Sequence, residues 1–314
     1  MGCGRWGAFH AWYAPRIGHQ VIIWGRKGSK KRMALAKDRR NPYLRLPDSA
    51  IVSDSLESTL SFADVIIIAV GAQELRPLCR QVALHRVAGK TFILCIKGLE
   101  ATTGQRLSQV FREKVTQPVD LAVWLGPGHV QEFVRGMPNC MIIDSESIDV
   151  TKRIVAQFGS ELIRFYYGQD MIGNEVGAAA KNVMGIAAGM LDGLDLGSLK
   201  GALMARGARE ISRLVSAMGG NELTVYGLCH LGDYEATLFS PHSHNRRFGE
   251  AFVRGERFEE LAEGVATAEA LRVLSKRYEV DLPICDAVHS IIVEKKDFSE
   301  VFRNLFLRPT KFEF

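Results

Sequence analysis

The chain has 314 residues, 47% apolar and 24% charged, enough apolar material for two hydrophobic cores and too much for a disordered chain. Its net charge of +5 is small and scattered, which suits an anionic small molecule and not a nucleic-acid surface. No stretch reaches the length of a membrane span, and six widely spaced cysteines without a C-x-x-C pair read as free thiols in a reducing compartment. The expectation is therefore a cytoplasmic protein with no integral membrane association, no nucleic-acid partner and no metal.

The first six residues after Met1, Gly2-Cys3-Gly4-Arg5-Trp6-Gly7, spell G-x-G-x-x-G. In a dinucleotide-binding unit Gly2 would make the turn out of a strand, Gly4 would let the backbone approach a pyrophosphate, and Gly7 would let the following helix pack closely. No strand precedes the motif, so the central strand is expected to be missing, from a late start codon or a truncated chain, leaving apolar edges exposed on both neighbours.

Onward from there, strands are predicted at 20–24, 50–53, 65–70, 91–96, 121–125 and 140–144. Helices fill about 8–25, 74–86, 105–116, 130–135 and 148–158. Continuous apolar runs such as Val65-Ile66-Ile67-Ile68 suit parallel strands covered on both faces. The strand signal stops after about residue 168, and helices are predicted at 174–192, 199–218, 222–228, 248–254, 262–278 and 284–294. The expected architecture is a Rossmann-type, doubly wound α/β domain over 1–167, its first strand missing, followed by an all-α domain over 168–314.

Three strand ends carry candidate chemistry, because ligands of open α/β sheets bind at the carboxyl edge. Arg26 and Lys27 follow the strand at 20–24, where a basic residue accommodates a 2′-phosphate and points to NADPH over NADH. Lys97 ends the strand at 91–96, and Gly126-Pro127-Gly128 ends that at 121–125. In the second half, Lys181 lies in a helix apolar nearly all round. It is either buried and functional, with its pKa pushed down, or snorkelling outward beside Asn182 and Asn174. The segment from His230 to Gly249 offers Asp233 as an orienting carboxylate and Ser243, Asn245 and Arg246 as anion donors. Its three histidines lack the Glu or Cys that would complete a metal site.

Taken in order, these motifs resemble the bacterial-type NAD(P)-dependent glycerol-3-phosphate dehydrogenases. The likeness runs from the glycine-rich start with Trp6 through Trp24-Gly25-Arg26, Lys97-Gly98-Leu99-Glu100, Gly126-Pro127, Ala180-Lys181-Asn182-Val183, Gly232-Asp233, Asn245-Arg246-Arg247-Phe248-Gly249 and Ala262-Glu263-Gly264. The resemblance implies hydride transfer between NAD(P)H and dihydroxyacetone phosphate, giving sn-glycerol 3-phosphate for phospholipid synthesis, with a homodimer allowed. It implies Lys181 as proton donor and acceptor, with Lys97 and Asp233 beside it. Ser243, His244 and Asn245 would hold the substrate, with Gly126 and Gly128 approaching by backbone. Arg5, Trp6, Arg26, Lys97, Val130, His244, Leu261 and Glu263 would touch the cofactor.

The chain departs from that family in particular places. His244 stands where an arginine is usual, replacing a permanent bidentate fork by a donor charged only in part near neutral pH; Arg246 is the candidate to compensate. Leu125 and Gly128 replace hydroxyl or amide side chains, and Gly71-Ala72 replaces Pro-Ser. Two alternatives stay open: a dehydrogenase for another small hydroxy acid or phosphorylated ketone, and an NADPH-binding sensor without turnover.

Overall fold

A computed structural model describes residues 1–313. They divide into two compact units, Met1–Lys97 with Arg106–Glu175, and Gly98–Gln105 with the described residues from Val176 onward. The sequence places the division at 167/168; the units part instead inside a continuous helix, where no loop composition marks it.

The first unit alternates strands and helices: α1 (Arg5–Tyr13), β1 (Ile22–Trp24), α2 (Lys30–Asp38), β2 (Ile51–Ser53), α3 (Leu56–Phe62), β3 (Val65–Ile68), α4 (Leu75–Val82), β4 (Thr91–Leu94), α5 (Leu107–Lys114), β5 (Asp120–Leu125), α6 (Val130–Val134), β6 (Asn139–Ser145), α7 (Ile148–Phe158) and β7 (Ile163–Tyr167). This is the expected Rossmann-type α/β architecture. Strands β3, β4 and β5 are parallel and in register, Val65 opposite Thr91 and Thr91 opposite Asp120.

Two expectations are corrected. The helix predicted over 8–25 ends at Tyr13, because Pro15 opens a short 3-10 turn and Gly18 closes it with φ +90°. The sheet is mixed, since β6 runs antiparallel to β5. Helix α6 has only five residues, a rise of about 7.5 Å. That is far too short to carry the chain back along a six-residue strand of about 20 Å, so the chain returns antiparallel. Strand β7 and helices α2 and α3 are additional to the predicted set.

Met1 and Gly2 lie between two separate ladders. β1 pairs only with β2, and β3 begins a separate five-stranded ladder. Met1 and Gly2 hydrogen-bond to both: the Met1 ammonium donates to Ile67 O, Ala69 N–H to Met1 O, and Gly2 N–H to Trp24 O. Toward the amino ends of β1 and β3 lies a cavity of about 400 Å³ lined by Ile22, Ile23, Val65, Ile66, His10 and Phe158.

The second unit is helical: the greater part of α8 (Met171–Gly193), then α9 (Lys200–Ala217), α10 (His244–Val253), α11 (Glu263–Tyr278), α12 (Pro283–Ile292) and α13 (Phe298–Phe306). Small residues on α8 let its neighbours approach to backbone distance. A Cβ on Gly189 would lie 1.8 Å from Arg246 O, and one on Gly249 would lie 2.1 Å from Ile186 O, so α8 and α10 touch through their glycines. No helix among the described residues is long and apolar enough to cross a membrane.

Candidate active site

In the first unit the glycine-rich turn forms an anion cradle. Gly2 has φ +105°, and a Cβ there would meet Ala69 O at 2.3 Å; one on Gly7 would meet Gly2 O at 1.9 Å. Both positions are closed to side chains, whereas a Cβ on Gly4 would have nothing within 4 Å. Gly4 is the N-cap of α1 and no side chain caps that helix, so its first N–H groups and positive dipole end remain for an anion. These residues fit the pyrophosphate of a dinucleotide.

Around this cradle, the Lys97 ammonium donates to Gly126 O at 2.6 Å and lies 5.7 Å from the Trp6 ring. Gly126 and Gly128 have φ +118° and +130°, and a Cβ on Gly128 would collide with Phe133 at 2.6 Å. The turn therefore presents backbone at both positions. Arg5 lies over the Tyr43 ring at 5.3 Å. Arg26 reaches Glu74 at 2.8 Å but stays largely exposed, and Lys27 is exposed beside it. Val130, the first residue of α6, is buried in the core.

In the second unit Lys181 is buried within α8. Its ammonium pairs with Asp233 Oδ2 at 2.9 Å and donates to Thr237 Oγ1 at 2.6 Å. The snorkelling alternative is thereby replaced by a buried, paired ammonium. A cation and carboxylate taken out of water together require this geometry, because removing either partner leaves an uncompensated buried charge at a cost of about 3–5 kcal/mol. Asp233 ends a 3-10 turn and Thr237 lies in a single π turn, Glu235–Phe239, the kind of local irregularity that re-aims side chains.

Asn245, at the start of α10, donates from Nδ2 to Asn182 Oδ1 at 3.0 Å and accepts the Gly264 N–H at 2.9 Å. It thus joins the residue after Lys181 to the start of α11. Ser243 caps α10 by accepting the Arg246 N–H. His244 lies 3.2 Å from Glu260, which also pairs with Arg247 at 3.1 Å. Arg246 does not face outward as a replacement phosphate fork: it is held by Asp192 at 2.6 Å, Glu250 at 3.2 Å and Ser240 O. Leu261 is exposed just ahead of α11, and Glu263 opens that helix. No group of three or more His, Cys, Asp or Glu among the described residues is arranged to hold a metal.

Sequence reasoning passes over Thr237 and the Asn182–Asn245 link. Thr237 follows Asp233 by four residues, the spacing of one helical face, and that was the available signal. The Asn182–Asn245 pair spans 63 residues and left none.

Comparison with known proteins settles the family. The family models described as the N-terminus and the C-terminus of NAD-dependent glycerol-3-phosphate dehydrogenase match residues 1–151 and 170–303. The chain belongs to the NAD-dependent glycerol-3-phosphate dehydrogenase family. It is 34% identical to glycerol-3-phosphate dehydrogenase [NAD(P)+] of Clostridium botulinum, covering 100% of this chain and 98% of that one. With the Prosthecochloris aestuarii protein of the same description it shares 33% identity over 99% of this chain and 98% of the relative. The crystal structure of glycerol-3-phosphate dehydrogenase from Coxiella burnetii superposes with a TM-score of 0.89 at 28% identity, covering 98% and 97% of the two chains. A Plasmodium falciparum structure of the same description, at 16% identity, 98% and 94% coverage and a TM-score of 0.84, shares the fold.

Proposed function

We propose that this chain interconverts dihydroxyacetone phosphate and sn-glycerol 3-phosphate with NAD(P)H, NADPH being preferred, in the cytoplasm, and so supplies glycerophospholipid synthesis. The observation that carries the reading is the buried Lys181 ammonium, held by Asp233 and Thr237 in a chain of this family. When bound, the dinucleotide supplies the hydride that the carbonyl carbon accepts. Lys181 is the group that gives a proton to the carbonyl oxygen, so that hydride and proton together make the alcohol; in the reverse direction it takes the proton back. Its positive charge also stabilises the negative charge developing on that oxygen. Asp233, buried beside it, keeps the ammonium oriented.

Other roles follow the local geometry. The Gly2, Gly4 and Gly7 turn with Arg5, Trp6 and Val130 holds the dinucleotide, and exposed Arg26 and Lys27 receive its 2′-phosphate. In the second unit Leu261 and Glu263, at the start of α11, and His244 are proposed cofactor contacts. Also in the second unit, Ser243, His244 and Asn245 are the proposed substrate contacts, at the start of α10, where N–H groups and helix dipole favour a phosphate; in the first unit the proposed ones are Lys97, Gly126 and Gly128. The free thiols of all six cysteines suit a reducing cytoplasm.

Incubation with NADPH and either dihydroxyacetone phosphate or unphosphorylated dihydroxyacetone, with product analysis, tests the proposal. The expected result is glycerol 3-phosphate from the first and negligible turnover of the second. Binding of NADPH with no turnover of either ketone would overturn it.

A further inference from the structure

The segment that carries Asp233 and Thr237 has little regular structure of its own: a three-residue 3-10 turn, then a five-residue π turn. Something must hold it against α8 closely enough to keep a 2.9 Å ion pair on Lys181. Two side chains outside the proposed catalytic set lie at that junction. His230 Nδ1 is 2.8 Å from Gly177 O, and His230 Nε2 is 2.6 Å from the Tyr234 hydroxyl; both residues are fully buried. Chemistry fixes the protons. A carbonyl only accepts, so Nδ1–H donates to Gly177 O; the neutral ring then accepts at Nε2, and the tyrosine hydroxyl donates. Burial pushes the imidazole down to about 4 and the phenol well above its usual range, which keeps both neutral.

The carbonyl chosen is informative. Gly177 and Lys181 are four apart in α8, so Gly177 O is also the acceptor for Lys181's own backbone N–H. A Cβ on Gly177 would lie 3.1 Å from His230 Cβ, so the glycine admits the ring. We infer that His230 and Tyr234 are positioning residues that clamp the Asp233 turn onto the helical turn bearing Lys181 and so set the geometry of the proton donor. The inference rests on Lys181 acting as the acid. The charged and titratable groups facing the clamp are Lys181 and Asp233 around His230, and Glu210, Cys285 and Tyr226 around Tyr234.

The test compares wild type, His230→Asn, His230→Leu and Tyr234→Phe for kcat and KM with dihydroxyacetone phosphate and NADPH across pH, and for thermal midpoint. Asparagine can keep the bond to Gly177 O and loses that to Tyr234; leucine loses both. Both His230→Asn and Tyr234→Phe should lower kcat about ten- to a hundredfold, as a displaced catalytic group does, with KM for NADPH unchanged. With Asp233 shifted away, the buried ammonium is less well paired, so the alkaline limb of kcat should move to lower pH. His230→Leu should be the most impaired, and the Asn–Phe double variant should be no worse than either single one. Folded variants with wild-type kcat and an unmoved limb, whatever their thermal midpoint, would overturn the clamp. Absence of wild-type turnover would instead overturn the reading of the reaction.

Discussion

His10 gives the sharpest forecast for stability. It lies on α1 in the core of the first unit, 4.7 Å from the Trp124 ring, and neither ring nitrogen has a hydrogen-bond partner. Burial, with a smaller push from the Met1 ammonium, drives its pKa down to about 3. The fold therefore keeps the imidazole neutral while the unfolded chain protonates it below about 6.5. Stability associated with it is complete above pH 6.5, is lost as pH falls through 6.5, and continues to be lost down to about 3. At pH 5 the loss amounts to about 2 kcal/mol, set by the protonation that only the unfolded chain takes up. His10→Leu removes the titration and the two unsatisfied nitrogens. All four tryptophans, Trp6, Trp12, Trp24 and Trp124, belong to the first unit, so urea unfolding followed by tryptophan fluorescence reports on it directly. Between pH 8 and pH 5 the wild type should lose about 2 kcal/mol more than the variant. Equal losses would mean that the ring reaches water through the cavity it lines, and would refute the reasoning.

Further expectations follow from individual distances. Gly4→Ala meets nothing within 4 Å, so the thermal midpoint should hold while NADPH affinity falls about tenfold or more as the methyl enters the anion cradle; unchanged affinity in a fluorescence titration would contradict the cradle. Gly7→Ala places a Cβ 1.9 Å from Gly2 O, so it should lower the thermal midpoint as well, and an unperturbed midpoint would count against the turn. Arg26→Ser should cut kcat/KM for NADPH about tenfold and leave NADH nearly untouched; equal losses with both would remove Arg26 from 2′-phosphate recognition. His244→Arg should lower KM for dihydroxyacetone phosphate severalfold, because a bidentate fork replaces a single donor; an unchanged KM would sink the phosphate role of His244.

How much was legible depended on what each segment must bury. β3, β4 and β5 are dense apolar runs packed on both faces, and their existence could be read from pattern. Helix α2, Lys-Lys-Arg-Met-Ala-Leu-Ala-Lys-Asp, buries only Leu35, so no apolar stripe announced it. β7 alternates Ile163-Arg164-Phe165 with an exposed Tyr166 and Tyr167, a weaker signal than its buried neighbours gave. The shortness of α6 was legible, since its helix is predicted over 130–135, but its consequence, the reversal at β6, was not read from it. In the site, Lys181 stood out because a lysine in an apolar helix needs a reason, and Asp233 as the candidate orienting carboxylate of the His230–Gly249 segment. Their pairing across 52 residues, and the use of Arg246 as a tie to Asp192 and Glu250, depend on chain packing that residue types alone do not encode.

The central claim is that Lys181, held by Asp233, is the proton donor of an NAD(P)H-dependent reduction of dihydroxyacetone phosphate. Single-turnover NADPH oxidation with that substrate, wild type against Lys181→Met, tests it directly, with NADPH binding measured alongside by fluorescence. The rate should fall about 10²- to 10⁴-fold, the share a general acid carries, while NADPH still binds. A Lys181→Met protein that binds NADPH and oxidises it at the wild-type rate would contradict the account.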